Sequence, residues 1–277
     1  MDGLEALILG IGGVISGILA GILGIGGGVL LNPLLVGVGT TPVQAAATSS
    51  LAILMTATAG TFQNWRMGFL QIEKTLYLGI PAILTAQLGV LLGSNAPDYL
   101  LATGFGLLLI INIYLVGLKK KAITKAQSLT GDAQTQETLS PQAETPSTQS
   151  FWRTPLVARL TTGGLAGLLA GLFGVGGGVV MVPMQILLLN EPIKDAVRTS
   201  LSVIVITGIS ACVGHALRGN VLVLYGLVLG LAGMVGAQAG TRFLPKLSDQ
   251  MVSIAFRLLM AVLSTYMFWK AWALVNS

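Results

Sequence analysis

"GILGIGGGVLLNP" occupies residues 21–33, and "GLFGVGGGVVMVP" spells nearly the same stretch again at 171–183. Each is a glycine corner inside an apolar run, closed by a proline. What surrounds the corners decides how they are read. The 277 residues are 53% hydrophobic and only 9% charged, with a mean hydropathy of +0.84. Soluble domains carry about a quarter charged residues. A bilayer-spanning helix needs roughly 20 mostly apolar residues, and several segments of this chain qualify. The fold class expected is therefore an all-α integral membrane protein.

The corners recur because the halves recur. At an offset of 150, Gly13, Gly17, Gly21, Gly24, Gly26, Gly27, Gly28, Pro33, Pro42, Ala46 and Ser50 meet the same residue type, without a gap. Between the halves lies "KKKAITKAQSLTGDAQTQETLSPQAETPSTQSFWR", polar and almost without large apolar side chains. Such a composition cannot build a core and reads as a flexible linker. The chain thus divides into transmembrane repeat 1 (1–118), a linker (119–153) and transmembrane repeat 2 (154–277). Long helices are expected near 4–24, 43–64, 74–94 and 98–118, and near 155–174, 193–214, 221–243 and 249–272. Short helices at 27–38 and 177–189 rise only ~18 Å, too little to span alone. The acidic start "MDGLE" does not read as the basic n-region of a cleaved signal peptide.

Counting each short helix as part of a crossing inverts the halves and puts both termini outside. Treating the short helices as re-entrant makes the halves parallel instead. The inverted form places Arg66, Lys74, Lys194, Arg198, Arg242 and Lys246 beside a cytoplasmic, Lys-rich linker and leaves mainly Arg218 and Lys270 outside. It therefore satisfies the positive-inside bias better. The expected location is the inner or plasma membrane.

Three chemistries compete for the corners. Close helix packing accounts for Gly17, Gly21, Gly167 and Gly171, small residues spaced i, i+4. Nucleotide binding fails, because no Lys-Ser/Thr follows the glycines and the G-x-G-x-x-G spacing breaks at Val29 and Val179. An ion site remains. Glycines interrupt the helix, and the next helix begins with unpaired N–H groups at the positive end of its dipole, which suits an anion. The polar residues nearby fit that charge. The candidates for substrate binding are Gly26, Gly27, Gly28, Ser49, Ser50, Gly176, Gly177, Gly178, Arg198, Thr199 and Ser200. Arg198 offers a planar fork of donors, or alternatively pairs with Asp195 or snorkels to the surface. Pathway-lining candidates are Pro33, Thr48, Gln87, Pro183, His215 and Gln238. No metal-ligand cluster, nucleophile–base set or buried carboxylate pair is legible. A non-enzyme without metal or cofactor is expected, and the lone Cys212 excludes an intramolecular disulfide.

The doubled "G-x-x-x-G-x-x-G-x-G-G-G-V-x-x-x-P", with "S-S-L" at 49–51 and "T-S-L" at 199–201, resembles the sulfite exporter TauE/SafE family of membrane permeases. The resemblance covers 10–118 and 155–272. It implies a transporter of sulfur-containing anions such as sulfite, thiosulfate or organosulfonates, with Gly26–Gly28, Pro33, Gly176–Gly178 and Pro183 along the path. Strict symmetry breaks at Thr48 against Arg198 and at Asn32 against Val182, so a lopsided site is expected. The competing class is a channel-like or scaffold protein whose glycines only pack helices. The lipid bilayer and a small anion are the expected partners, with no nucleic acid.

Overall fold

The computed structural model describes residues 3–130 and 155–275. It is built of helices. The first half runs α1 (Gly3–Leu23), α2 (Gly28–Gly37), α3 (Pro42–Arg66), α4 (Ile72–Asn95) and α5 (Asp98–Thr130). The second runs α6 (Pro155–Phe173), α7 (Gly178–Leu188), α8 (Ile193–Ala216), α9 (Val223–Phe243) and α10 (Asp249–Val275), with a 3₁₀ turn at Leu244–Lys246. Among the described residues, eight helices are long and apolar enough to cross a membrane, and α2 and α7 are the short apolar ones. The chain is a multi-pass helical membrane protein.

Local chemistry explains most of the boundaries. Thr41 caps α3, accepting from Gln44 N–H at 3.3 Å while the Gln44 side chain accepts from Thr41 N–H, and Pro42 supplies the first helical residue. At the corners no side chain caps the helix. Gly27 (φ 84°) and Gly177 (φ 77°) instead take the left-handed conformation immediately before α2 and α7, which other residues adopt only at a steric cost. Pro33 and Pro183 lie inside the short helices, which continue to Gly37 and Leu188. The prolines therefore do not end these helices. Each removes the N–H that would otherwise pair with the carbonyl four residues back, Val29 or Val179. α5 runs on as helix to Thr130, through "KKKAITKAQ", a stretch rich in helix formers that composition alone assigned to the linker. Residues 131–154 lie outside the described residues.

Close glycine contacts fix the helix directions. A Cβ on Gly13, Gly17 or Gly21 would meet Leu229, Gly233 and Thr241 in turn, so α1 and α9 run parallel. Leu51, Met55 and Gly60 of α3 lie against Gly226, Gly230 and Thr241, so α3 runs the same way. Gly163, Gly167 and Gly171 of α6 pack on Leu78, Ala82 and Ala86 of α4, also in parallel. α8 follows α4, with Ile206 against Gly79 and Ser210 against Gln87. Between the two sets the sense reverses, since Leu54 meets Gly208 while Gly60 meets Leu201. α1 and α3 run in the same direction, so the chain between them must cross back, and α2 does so. The two halves present the same order of elements in opposite senses, with the linker on one side and the starts of α1 and α9 on the other.

Candidate functional site

The two corners meet halfway along α3 and α8. A Cβ on Gly26 would fall 2.9 Å from Ile53 and 3.1 Å from Ile204, and one on Gly176 would fall 3.0 Å and 2.9 Å from the same two residues. The corners also touch each other: Gly28 lies against Val175 and Gly178 against Ile25, at 2.7 Å and 2.9 Å from Cβ to Cα. Residues 23–29 and 173–179 are buried throughout.

The hydrogen bonding of this buried backbone is one-sided. Ser16 Oγ donates to Gly27 O at 2.8 Å, Ser200 Oγ to Gly24 O at 2.6 Å, Asn32 Nδ2 to Phe173 O at 2.7 Å, and Thr207 Oγ1 to Gly176 O at 3.2 Å. Gly27 O and Gly177 O also accept from the first turns of α2 and α7. The donors have no such provision. Among the described residues, the N–H groups of Ile25 through Val29 and of Val175 through Val179 have no acceptor. Buried N–H groups without partners are rare and costly. Here they gather at two helix N-termini halfway along α3 and α8, and within a membrane span bare backbone is tolerated only beside a cavity or buried in protein. The result is a surface of donors, suited to an anion and unsuited to a cation.

The sequence candidates distribute unevenly about this centre. Gly26–Gly28, Gly176–Gly178 and Ser200 are at it. Ser50 Oγ bonds back to Ala46 O at 2.9 Å, and a Cβ on Gly174 would strike that same carbonyl, so Ser50 is one step removed. Ser49 Oγ and Thr199 Oγ1 are buried without a partner. Thr48 Oγ1 accepts from Leu222 N–H at 3.0 Å and ties α3 to the start of α9. Arg198 does not reach the corners. Its guanidinium pairs with Asp195 at 3.1 Å and lies 3.6 Å from the centroid of the Phe69 ring. Gln87 is likewise engaged elsewhere: its Nε2 donates to Ser210 O and Oγ at 2.6 and 2.9 Å, and Gln238 is exposed on α9. His215 Nε2–H donates to Gly171 O at 3.0 Å, joining α8 to α6. Pro33 and Pro183 are buried one turn beyond the corners, and Tyr266 Oη donates to Pro33 O at 3.3 Å.

Sequence reading missed Ser16, Asn32 and Thr207 as corner residues. Their equivalents at the 150 offset are Ala166, Val182 and Ala57, so a search for polar residues kept in both halves passes over them. A signal existed for Ser16, the one hydroxyl in a helix otherwise made of Gly, Ala, Leu, Ile and Val beyond Glu5. Among the described residues no group of three or more His, Cys, Asp or Glu converges on a metal-sized site.

Comparison with known proteins gives the family. The family model described as "Sulfite exporter TauE/SafE" matches residues 9–267. The chain is 27% identical to the "Probable membrane transporter protein YunE" of Bacillus subtilis, over 96% of this chain and 98% of that one. It is 29% identical to a "Probable membrane transporter protein" of Xylella fastidiosa, over 98% of each. A stretch of 82 residues, 30% of this chain and 18% of the relative, is 34% identical to "Sulfite exporter TauE/SafE family protein 5" of Arabidopsis thaliana. No solved structure matches.

Proposed function

The chain belongs to the sulfite exporter TauE/SafE family of membrane transporters, and from that premise we propose that it moves a small sulfur-containing anion of the sulfite, thiosulfate or organosulfonate class past a midplane site between its two halves. One observation carries this reading: the corner carbonyls are engaged by Ser16, Ser200, Asn32 and Thr207, while the corner N–H groups have no acceptor. A cation would need the carbonyls; an oxyanion needs the N–H groups. The amides of Gly26–Gly28 and Gly176–Gly178 are the primary ligands in this reading, with Ser49, Ser50, Thr199 and Ser200 as nearby hydroxyls. Arg198 acts from the linker side, by drawing the anion in rather than by binding it at the corner. Packing alone accounts for Gly17, Gly21, Gly167 and Gly171 but leaves the corner donors unanswered.

The opposed senses of the halves support an inverted pair working by alternating access, as in transporters with broken helices at mid-depth. The linker is assigned to the cytoplasm because Arg66, Lys74, Arg159, Lys194, Arg198, Arg242 and Lys246 share its side, against Arg218 and Lys270 on the other. A membrane potential negative inside favours anion exit by ~2.3 kcal/mol per charge per 100 mV. Flux of labelled sulfite and thiosulfate in proteoliposomes, with and without an imposed potential, tests the proposal. Absence of flux for every sulfur anion sinks it; flux that ignores the potential and requires a pH gradient sinks the potential-driven mechanism.

A further inference from the structure

We propose that Asn32 selects the proton-bearing form of the transported anion at a constriction on the terminal side of the corners, an assignment that rests on the sulfur-anion reading above. Asn32 is 5% exposed, and its Nδ2 donates to the carbonyl of Phe173, the last residue of α6, at 2.7 Å. A carbonyl accepts only, so the amide cannot be turned the other way. Oδ1 therefore faces elsewhere, and it has no donor. The same side chain lines a narrow cleft with Pro42, Ala46, Leu101, Phe105 and Met267, with room for about one water. Pro42 begins α3, Leu101 is early in α5 and Met267 late in α10, which puts the cleft on the side of the chain termini. Its inner wall, Phe173 and Ala46, adjoins Gly174 of the second corner.

A buried carbonyl oxygen repels an anion that offers only lone pairs, and more strongly in low dielectric than in water. It accepts from an anion that carries an O–H, such as hydrogensulfite. Val182 stands at the equivalent position of α7, and at the 150 offset Phe173, Ala46 and Ala102 correspond to Leu23, Ala196 and Val252, buried and apolar. The anion thus meets the Asn32 acceptor between the corners and the terminal side, while on the linker side the buried Gln185 Oε1, also without a donor, lies three residues beyond Val182 on α7.

The test uses the full chain in proteoliposomes, as wild type and as Asn32→Val, which copies Val182. Flux of labelled sulfite is compared with that of methanesulfonate, which has no proton to lose, over a pH series spanning the second dissociation of sulfite. For the wild type the sulfite-to-methanesulfonate ratio is expected to fall about tenfold per pH unit above that dissociation. For Asn32→Val, methanesulfonate flux is expected to rise toward that of hydrogensulfite and the ratio to stay flat with pH, with a monodisperse size-exclusion peak in detergent reporting a folded protein. Asn32→Leu gives the same reading if the valine variant does not fold. A flat ratio in the wild type, or an unchanged slope in the variants, overturns the assignment and leaves the amide holding a water. A wild type that moves neither anion overturns the sulfur-anion reading and this assignment with it.

Discussion

Ser50 and Ser200 stand at matching places in the two halves, yet they do different work. Ser200 Oγ reaches out of its helix to Gly24 O at 2.6 Å, whereas Ser50 Oγ returns to Ala46 of its own helix. Ser200→Ala leaves a buried corner carbonyl unpaired and is expected to cost about 1 kcal/mol and to slow anion flux. Ser50→Ala is expected to leave unfolding within a few tenths of a kcal/mol of wild type. Thermal unfolding in detergent, run beside the flux assay, separates the two; equal effects would remove the distinction. Only part of this was legible beforehand. The repeat singled out both serines because it keeps both, but Ser16, Asn32 and Thr207 answer the corner carbonyls from positions where the repeat keeps nothing. The physical reason is that a carbonyl needs one donor of adequate reach, and different neighbouring helices can supply it. Arg198 shows the converse: a cation that is conspicuous in the sequence spends its charge on Asp195 and the Phe69 ring.

At the scale of the element, glycine does two separate jobs. In α1, α6 and α9 it removes side chains so that backbones can touch: a Cβ on Gly17 would lie 2.8 Å from Gly233 C, and one on Gly171 would lie 2.8 Å from Val90 N. At the corners it also supplies the positive φ that ends one helix and starts the next. Gly178→Ala would put a Cβ 2.9 Å from the Ile25 Cα, with a second close approach to Gly24 O, and backbone cannot step aside. Little folded protein is expected, as judged by size-exclusion chromatography in detergent. Gly164 offers the contrast, since a Cβ there meets only Thr85 Cγ2 at 3.8 Å. Gly164→Ala is expected to stabilise by about 0.5–1 kcal/mol, the helix-propensity gain, raising the unfolding midpoint. This contrast also changes how a corner glycine is tested. Gly27→Ala would strike Ser16 from a left-handed φ, so lost transport in that variant would not distinguish an ion site from packing. The hydroxyl variants do.

The whole molecule joins its halves reciprocally: α1 packs on α9 and α6 on α4, α3 and α8 cross at the centre, and α5 lies against α10. Two ion pairs join helices on the linker side. Lys74 of α4 meets Glu191, before α8, at 2.8 Å, and Lys194 reaches Asp249 at 3.8 Å. Glu191 is the more buried of the two acids, so Lys74→Met is expected to destabilise by about 1–2 kcal/mol, while Lys194→Met falls within about 0.5 kcal/mol of wild type. Thermal unfolding of both variants checks the order. Sidedness has its own test on a Cys212→Ser background. Leu217→Cys, exposed at the end of α8, should react with an impermeant maleimide on intact cells, and Ser248→Cys only after permeabilisation. The reverse pattern would turn the protein over in the membrane.

The amino-acid sequence by itself determined that this is a helical membrane protein, that glycine corners break two of its helices, and that the corner motif is spelled twice at one offset. Hydrophobic run length, glycine clusters and a gapless offset are local quantities, readable without coordinates. Only the tertiary structure decided that α2 and α7 cross back, that the corners touch each other halfway along α3 and α8, and which side chains answer their carbonyls. Those facts depend on which helices become neighbours, and neighbours are chosen by packing between segments far apart in the chain. The paired corners thus pass from a repeated spelling to a specific chemical surface, with its acceptors engaged from other helices and its donors without partners.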